Sequence, residues 1–222
     1  MNKLQINPGD TVARIAGATG FAPDTIWSHP DNAQLKDQRD HMDVLAAGDH
    51  LTVPDLTVKS LSLVTGKRYR FRLKGVPMRF ILQVLDAWGN PRSERSYRLV
   101  VDGDPLEGIT DENGVLRHFI PNSARTGRLF LDELELELAF GELEPKSTLL
   151  GVQQRLSNLG FSCLADAGKM GRDTVLALQR FQRLMGLPET GELDDATRRS
   201  LDEHHQQVGL LAQHISSAEP DL

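Results

Sequence analysis

The chain has 222 residues, enough for one or two ordinary domains or three very small ones. Hydrophobic residues make up 39% and charged residues 25%, a globular balance, while only 5% are aromatic, so each core must be built from Leu, Val and Ile. A net charge of −6 argues against a nucleic-acid surface, and a single cysteine, Cys163, excludes both an internal disulfide and a Cys-rich zinc site. The first residues lack the apolar run and cleavage pattern of a secretory signal, and no stretch is long and apolar enough for a membrane span. The expectation is a chain made in the cytoplasm, without a secretory signal and without membrane insertion.

Residues 1–55 mix short apolar runs with turn residues. Leu4 to Ile6 predicts a strand, stopped by Asn7, Pro8 and Gly9. Asp10 or Thr11 caps a helix carrying Val12, Ile15 and Ala16 at helical spacing. A second turn of helix is predicted over 24–27 and a polar surface helix over 31–39. Gly48 to Pro54 then reads as a turn and an alternating strand, which gives the order β, α, α, β.

Residues 56–145 alternate with period two at 68–73, 97–101 and 134–138. Turn signals recur between these runs, and Gly89, Gly103 and Gly114 are placed to supply positive φ, with Asp111 closing an Asx-turn ahead of Gly114. About seven strands are predicted, the pattern of a small β-sandwich.

Residues 146–203 return to helical spacing. Leu149, Val152, Leu156 and Leu159 form one stripe, ended by Gly160, and Ala177, Leu178, Phe181, Leu184 and Met185 form another. Gly168, Thr174 and Leu178 repeat as Gly191, Thr197 and Leu201 at an offset of twenty-three residues. Each copy is a glycine turn leading into a capped helix. Residues 204–222 extend the last helix as far as Ile215 or form a flexible tail. The predicted fold class is multidomain α+β: a small βααβ domain, a central β-sandwich and a C-terminal three-helix domain.

With Gly9-Asp10-Thr11 after the first strand, and Leu45, Gly48 and Leu51 to Pro54 at its end, the first segment resembles a LysM domain. That resemblance implies binding of N-acetylglucosamine chains through Gly9, Asp10, Thr11 and Val12 on one loop and Leu45, Gly48, Asp49 and His50 on the other. The stretch Thr25-Ile26-Trp27-Ser28-His29-Pro30-Asp31-Asn32 is similar to LysM-like segments that accompany type VI secretion spike and effector proteins. The middle segment, with Leu85, Gly89 and Pro91, then Tyr97, Asp102 and Gly103, then Thr110, Asp111 and Gly114, resembles the Ig- or transthyretin-like modules of the same systems. The third segment, through Val152, Leu156, Gly160 and Phe161, then Asp166, Gly168, Gly171 and Thr174, then Leu178, Phe181, Gln182, Gly186, Pro188 and Gly191, resembles the three-helix peptidoglycan-binding domain of cell-wall hydrolases. Around its glycine turn and second helix, Asp166, Arg172, Gln179 and Gln182 are the candidate glycan contacts, against the alternative of a solvated face.

No catalytic or metal motif has a recognisable spacing, so neither catalytic residue, metal site nor cofactor is expected. Glu133, Glu135 and Glu137 read as a solvated strand face; one such face cannot supply carboxyls on both sides of a glycosidic bond. His29, His41, His50, His204 and His205 read as ordinary polar histidines or weak metal contacts, and Cys163 as a packed thiol. Trp27 is a core residue or a sugar-stacking one, and Trp88 an exposed turn aromatic or an edge-packed one. The resemblances together imply a non-enzymatic, peptidoglycan-binding accessory or cargo-associated protein of a type VI secretion system. Its partners would be peptidoglycan or an N-acetylglucosamine glycan and a spike protein or toxic effector, and contractile export would carry it to the periplasm of a target cell. A protein-binding adaptor or immunity-like partner, and a hydrolase with an unrecognised site in residues 56–145, remain as alternatives.

Overall fold

The structure is a computed structural model and describes residues 2–39, 41–56, 62–70, 78–86 and 88–207. Two compact units divide the chain: Met1–Met78 with Pro121–Ser123, and Arg79–Ile120 with Ala124–Leu222.

In the first unit, β1 (Asn2–Gln5) and β2 (His50–Val53) pair antiparallel, with Asn2 opposite Val53 and Gln5 opposite His50. Between them run α1 (Val12–Thr19), α2 (Pro23–Trp27), a 3-10 turn at Pro30–Asn32 and α3 (Ala33–Gln38). Thr11 caps α1, its Oγ1 accepting from the Arg14 amide at 3.1 Å. Asp10, the other candidate cap, instead accepts from the Asn7 amide and closes the preceding turn. Gly20, in the left-handed region, ends the helix. Val12, Ala16, Ile26, Leu35, Leu45, Leu51 and Val53 form the core together with Trp27, which is only 7% exposed and packs rather than presenting a face for sugar stacking.

The stretch 31–39 is not a plain surface helix. Leu35 is buried, and Asn32, 1% exposed, is the polar centre of the unit. Its Nδ2 donates to the Ile26 and Thr52 carbonyls, each at 2.8 Å, and its Oδ1 accepts from the Thr52 amide at 2.7 Å. One side chain thus ties the end of α2 to β2.

The second unit begins with strands. β4 (Ser96–Val101), β5 (Asp104–Ile109), β7 (Thr126–Leu131) and β8 (Leu134–Ala139) form an antiparallel sheet in the order β5-β4-β7-β8, while β3 (Met78–Gln83) pairs with β6 (Val115–Ile120). Alternation decides the faces: Tyr97, Leu99 and Val101 are buried, while Ser96 and Arg98 are exposed. Gly89, Gly103 and Gly114 all have positive φ, and the Asp111 carboxylate accepts from the Asn113 and Val115 amides, as the turn chemistry requires. Tyr97 meets His118 Nε2 at 2.8 Å and thereby links β4 to β6.

Six strands occur in this segment among the described residues, against about seven predicted. In the alternating run 68–73, Arg68, Tyr69 and Arg70 are exposed and not in a strand, and 71–73 lie outside the described residues. A local turn prevails there: the Tyr69 hydroxyl lies 2.9 Å from the Val64 amide, across a bend that holds Gly66 at φ +84°.

The chain then enters α4 (Leu149–Asn158), a 3-10 turn at Leu164–Asp166, α5 (Arg172–Leu184) and α6 (Asp195–Gln206). Val152, Leu156, Cys163, Ala177, Leu178, Phe181 and Leu201 close one core, with Phe161 set edge-on to Phe181. The predicted extension to Ile215 lies outside the described residues beyond 207. The connector into α4 is pinned. Gln154 accepts from the Glu144 amide and donates to the Glu142 carbonyl, and Arg155 Nη1 donates to the Glu144 carbonyl. Lys146 pairs with Asp202 at 2.8 Å, and a methyl group at Gly151 would collide with the Pro145 carbonyl.

Replacing Asn32 strands the buried carbonyl and amide of Thr52 together and removes one of two bonds on the Ile26 carbonyl. Asn32→Ala is expected to lower the stability of the first unit by about 2–4 kcal/mol. Denaturant titration followed by Trp27 fluorescence checks this, and an unchanged midpoint contradicts it.

Candidate functional site

The two candidate loops of the first unit meet at one end of the β1–β2 ladder. Ile6 donates to the Asp49 carbonyl at 2.8 Å, and the Gly48 amide donates to the Ile6 carbonyl at 2.9 Å. Their side chains are less available than the sequence suggests. Thr11, Val12 and Leu45 are buried, whereas Gly48 and His50 are exposed and Gly9 and Asp10 half-buried. Asp49 takes two bonds from Arg39, at 2.8 and 2.7 Å, and one from the Ala46 amide at 2.9 Å. Burial works to raise its pKa, but these bonds and the Arg39 charge outweigh that and hold the carboxyl below its usual range.

The first-turn amides of α1 are occupied. Val12 donates to the Met42 carbonyl, Ala13 to Asp43 Oδ1 and Arg14 to Thr11. A glycan at this end therefore meets Gly9, Asp10, Gly48 and His50, with few unengaged donors.

In the helical region the candidates separate into two kinds. Asp166 accepts from the Thr174 amide at 2.7 Å and hydroxyl at 3.0 Å and so caps α5; a side chain at Gly171 would strike its carboxylate. Gln182 is 1% exposed and faces inward. Its Oε1 accepts from the Gly191 amide at 2.8 Å, and its Nε2 donates to the Glu192 carbonyl at 2.9 Å and to Thr197 Oγ1 at 3.0 Å. Both side chains hold turns, and Gln182 is buried as well. Arg172, by contrast, is exposed and Gln179 half-exposed, seven residues apart on one face of α5 with Leu176 between them.

The sequence missed Gln153, which repeats the Gln182 arrangement. Its Oε1 accepts from the Gly168 amide at 2.6 Å, and its Nε2 donates to the Lys169 carbonyl and Thr174 Oγ1, both at 2.8 Å. The two copies match atom for atom: a buried glutamine holds the turn glycine, the next carbonyl and the threonine of the following helix. Their glycines sit at φ +75° and +71°. The glycine–threonine repeat marks the acceptors, but the glutamines stand fifteen and nine residues before their glycines, so no fixed offset exposes them.

The family model described as "Putative peptidoglycan binding domain" matches residues 149–201. The match falls on the helical region, from α4 to α6, and says what that region is similar to. No curated protein matches the chain. A solved structure, a periplasmic domain of the EpsAB fusion protein of the Vibrio vulnificus type II secretion system, is 12% identical and covers 65% of this chain and 71% of its own, with a TM-score of 0.25. That likeness is too slight to bear on fold or function.

Within the helical region, Cys163 is 1% exposed and its Sγ donates to the Gln153 carbonyl at 3.5 Å; burial pushes the thiol pKa up, which suits a packed residue. No cluster of three or more metal-ligating side chains occurs among the described residues.

His205, on α6, reaches α4, with Nε2 at 3.2 Å from Asn158 Nδ2. Burial first, and the Arg155 charge second, push its pKa down to about 4, against a weaker pull from Asp202. The folded domain therefore resists a proton that the unfolded chain takes up near pH 6.5. Its contribution to stability is complete above that pH and is lost as pH falls towards 4, by at most about 3 kcal/mol. Urea midpoints of the helical transition measured between pH 7 and 4.5 should fall more steeply in the wild type than in His205→Gln.

Gln182→Ala strands the Gly191 amide and the Glu192 carbonyl, and should cost about 2–4 kcal/mol. Arg172→Ala should stay within about 0.5 kcal/mol. Equal midpoints for the two variants would contradict this division of roles.

Proposed function

We propose that the chain is a non-enzymatic wall-binding accessory that acts with a contractile, type VI-like secretion apparatus. The observation that carries the binding half is the match of residues 149–201 to the peptidoglycan-binding family. In this reading, glycan or stem peptide lies along the exposed face of α5, where Arg172 and Gln179 donate and Leu176 gives an apolar contact. The secretion half rests on the resemblance of residues 25–32 and of the middle segment to modules of such systems. The chain then travels from the cytoplasm to the periplasm of a target cell as cargo or with cargo.

One observation favours a different task for the first unit. Its helix amides and the Asp49 carboxylate are already engaged, which leaves little for a sugar and suits docking to a spike or effector protein. The whole chain is then an adaptor with a wall-binding end and a protein-binding end.

A module with this little contact surface binds weakly, at about the millimolar level. Full-length protein should pellet with purified sacculi. The Arg172→Ala, Gln179→Ala double variant should pellet several-fold less at an unchanged melting temperature. Incubation should release neither reducing ends nor soluble muropeptides. Absence of pelleting contradicts the wall-binding half; release of muropeptides contradicts the non-enzymatic half.

A further inference from the structure

Trp88 is 80% exposed, the most exposed large hydrophobic side chain among the described residues. Its backbone is tied to Asp86. The Asp86 carboxylate accepts from the Trp88 amide at 2.9 Å, the Asn90 amide at 2.8 Å and Asn90 Nδ2 at 3.1 Å. The Asp86 amide returns a bond to the Asn90 carbonyl at 2.8 Å, and Gly89 supplies the positive φ.

The base of the turn is fixed as well. Leu85 bridges Pro91, and Val84 exchanges backbone bonds with Gly114 and Arg92, each at 2.9 Å. Gly114 has no room for a side chain, since a Cβ there would lie 2.7 Å from the Val84 carbonyl.

These bonds hold the Trp88 amide while its ring stays 80% exposed, with no ring stacked on it among the described residues. Such pre-ordering removes part of the entropic cost of a contact. The ring's frame indicates the kind of contact. Asp86 and Asn90 flank it, so it is a single aromatic plate with a polar rim, unlike the contiguous apolar centre of a protein interface. A pyranose has the matching shape, with an apolar C–H face and hydroxyls at its edge.

We infer that Trp88 is a glycan-stacking residue that takes the N-acetylated sugar backbone of peptidoglycan as a second contact beside the helical domain. This rests on the wall-binding reading above and adds a site outside residues 149–201. The two contacts belong to one compact unit, and the connector between the sheet and α4 is pinned by Gln154 and Arg155. Linked weak contacts on one polymer multiply in effect, provided both reach it together.

The test uses the full chain, chitotetraose and purified sacculi. The chain holds two tryptophans, and Trp27 is buried, so a ligand-dependent blue shift and loss of acrylamide quenching report Trp88. Both changes should occur with the wild type and vanish in Trp88→Ala. Pelleting with sacculi should fall about three- to tenfold in Trp88→Ala and be largely retained in Trp88→Tyr. Melting temperatures should hardly move, because the side chain is 80% exposed. Wild-type pelleting that Trp88→Ala leaves unchanged, with no chitotetraose response, overturns the stacking role and keeps the wall-binding reading. No pelleting by the wild type and no fluorescence response overturn both.

Discussion

A carboxamide withdrawn from water must find acceptors for its two N–H groups and a donor for its oxygen, or it destabilises the fold that buried it. Asn32, Gln153 and Gln182 are all 1% exposed or less, and they meet that demand with backbone groups and, for the glutamines, threonine hydroxyls of neighbouring segments. The cores around them are small and poor in aromatic residues, so apolar burial alone defines loop positions only loosely. The amides supply direction where hydrophobic contact supplies only proximity. The loops that shape each unit's surface are held from within.

This inner polar scaffold determines which residues are left for ligands. In the first unit it takes the carboxylate of Asp49 and the amides at the start of α1, and in the helical domain it takes Asp166 and Gln182. The described residues left outside include Gly9, Asp10, Gly48 and His50 at one ladder end, the Arg172–Gln179 face of α5, and the ring of Trp88. A polar residue beside a glycine turn is thus as apt to be holding the turn as to be offered to a sugar.

The same distinction explains what the sequence disclosed. Period-two alternation marked β4 and β8, because side-chain direction along a strand depends only on local geometry. Glycine turns at 89, 103, 114, 168 and 191 were legible because positive φ leaves few alternatives. Arg68 to Arg70 misled, because alternation does not reveal whether a neighbouring strand exists or whether Tyr69 will fold back on its own turn. Asp166 and Gln182 were visible as polar residues near a turn, but the direction of a side chain, inward or outward, depends on packing from other elements. The stretch 25–32 likewise has architectural roles: Ile26 and Trp27 fill the core, His29 Nδ1 accepts from the Asp31 amide, and Asn32 closes the unit.

The pinned connector bears on how such a domain can be exchanged between proteins. The family match begins at Leu149, yet the polar accounts of α4 reach back to Glu142 and Glu144 through Gln154 and Arg155. A recombination junction at the first helical residue would carry away a glutamine and a buried arginine without the carbonyls that receive them. A junction at Gly141 would carry them together. The hydrogen-bonded unit around α4 is therefore longer than the helices alone and reaches back to the turn after β8.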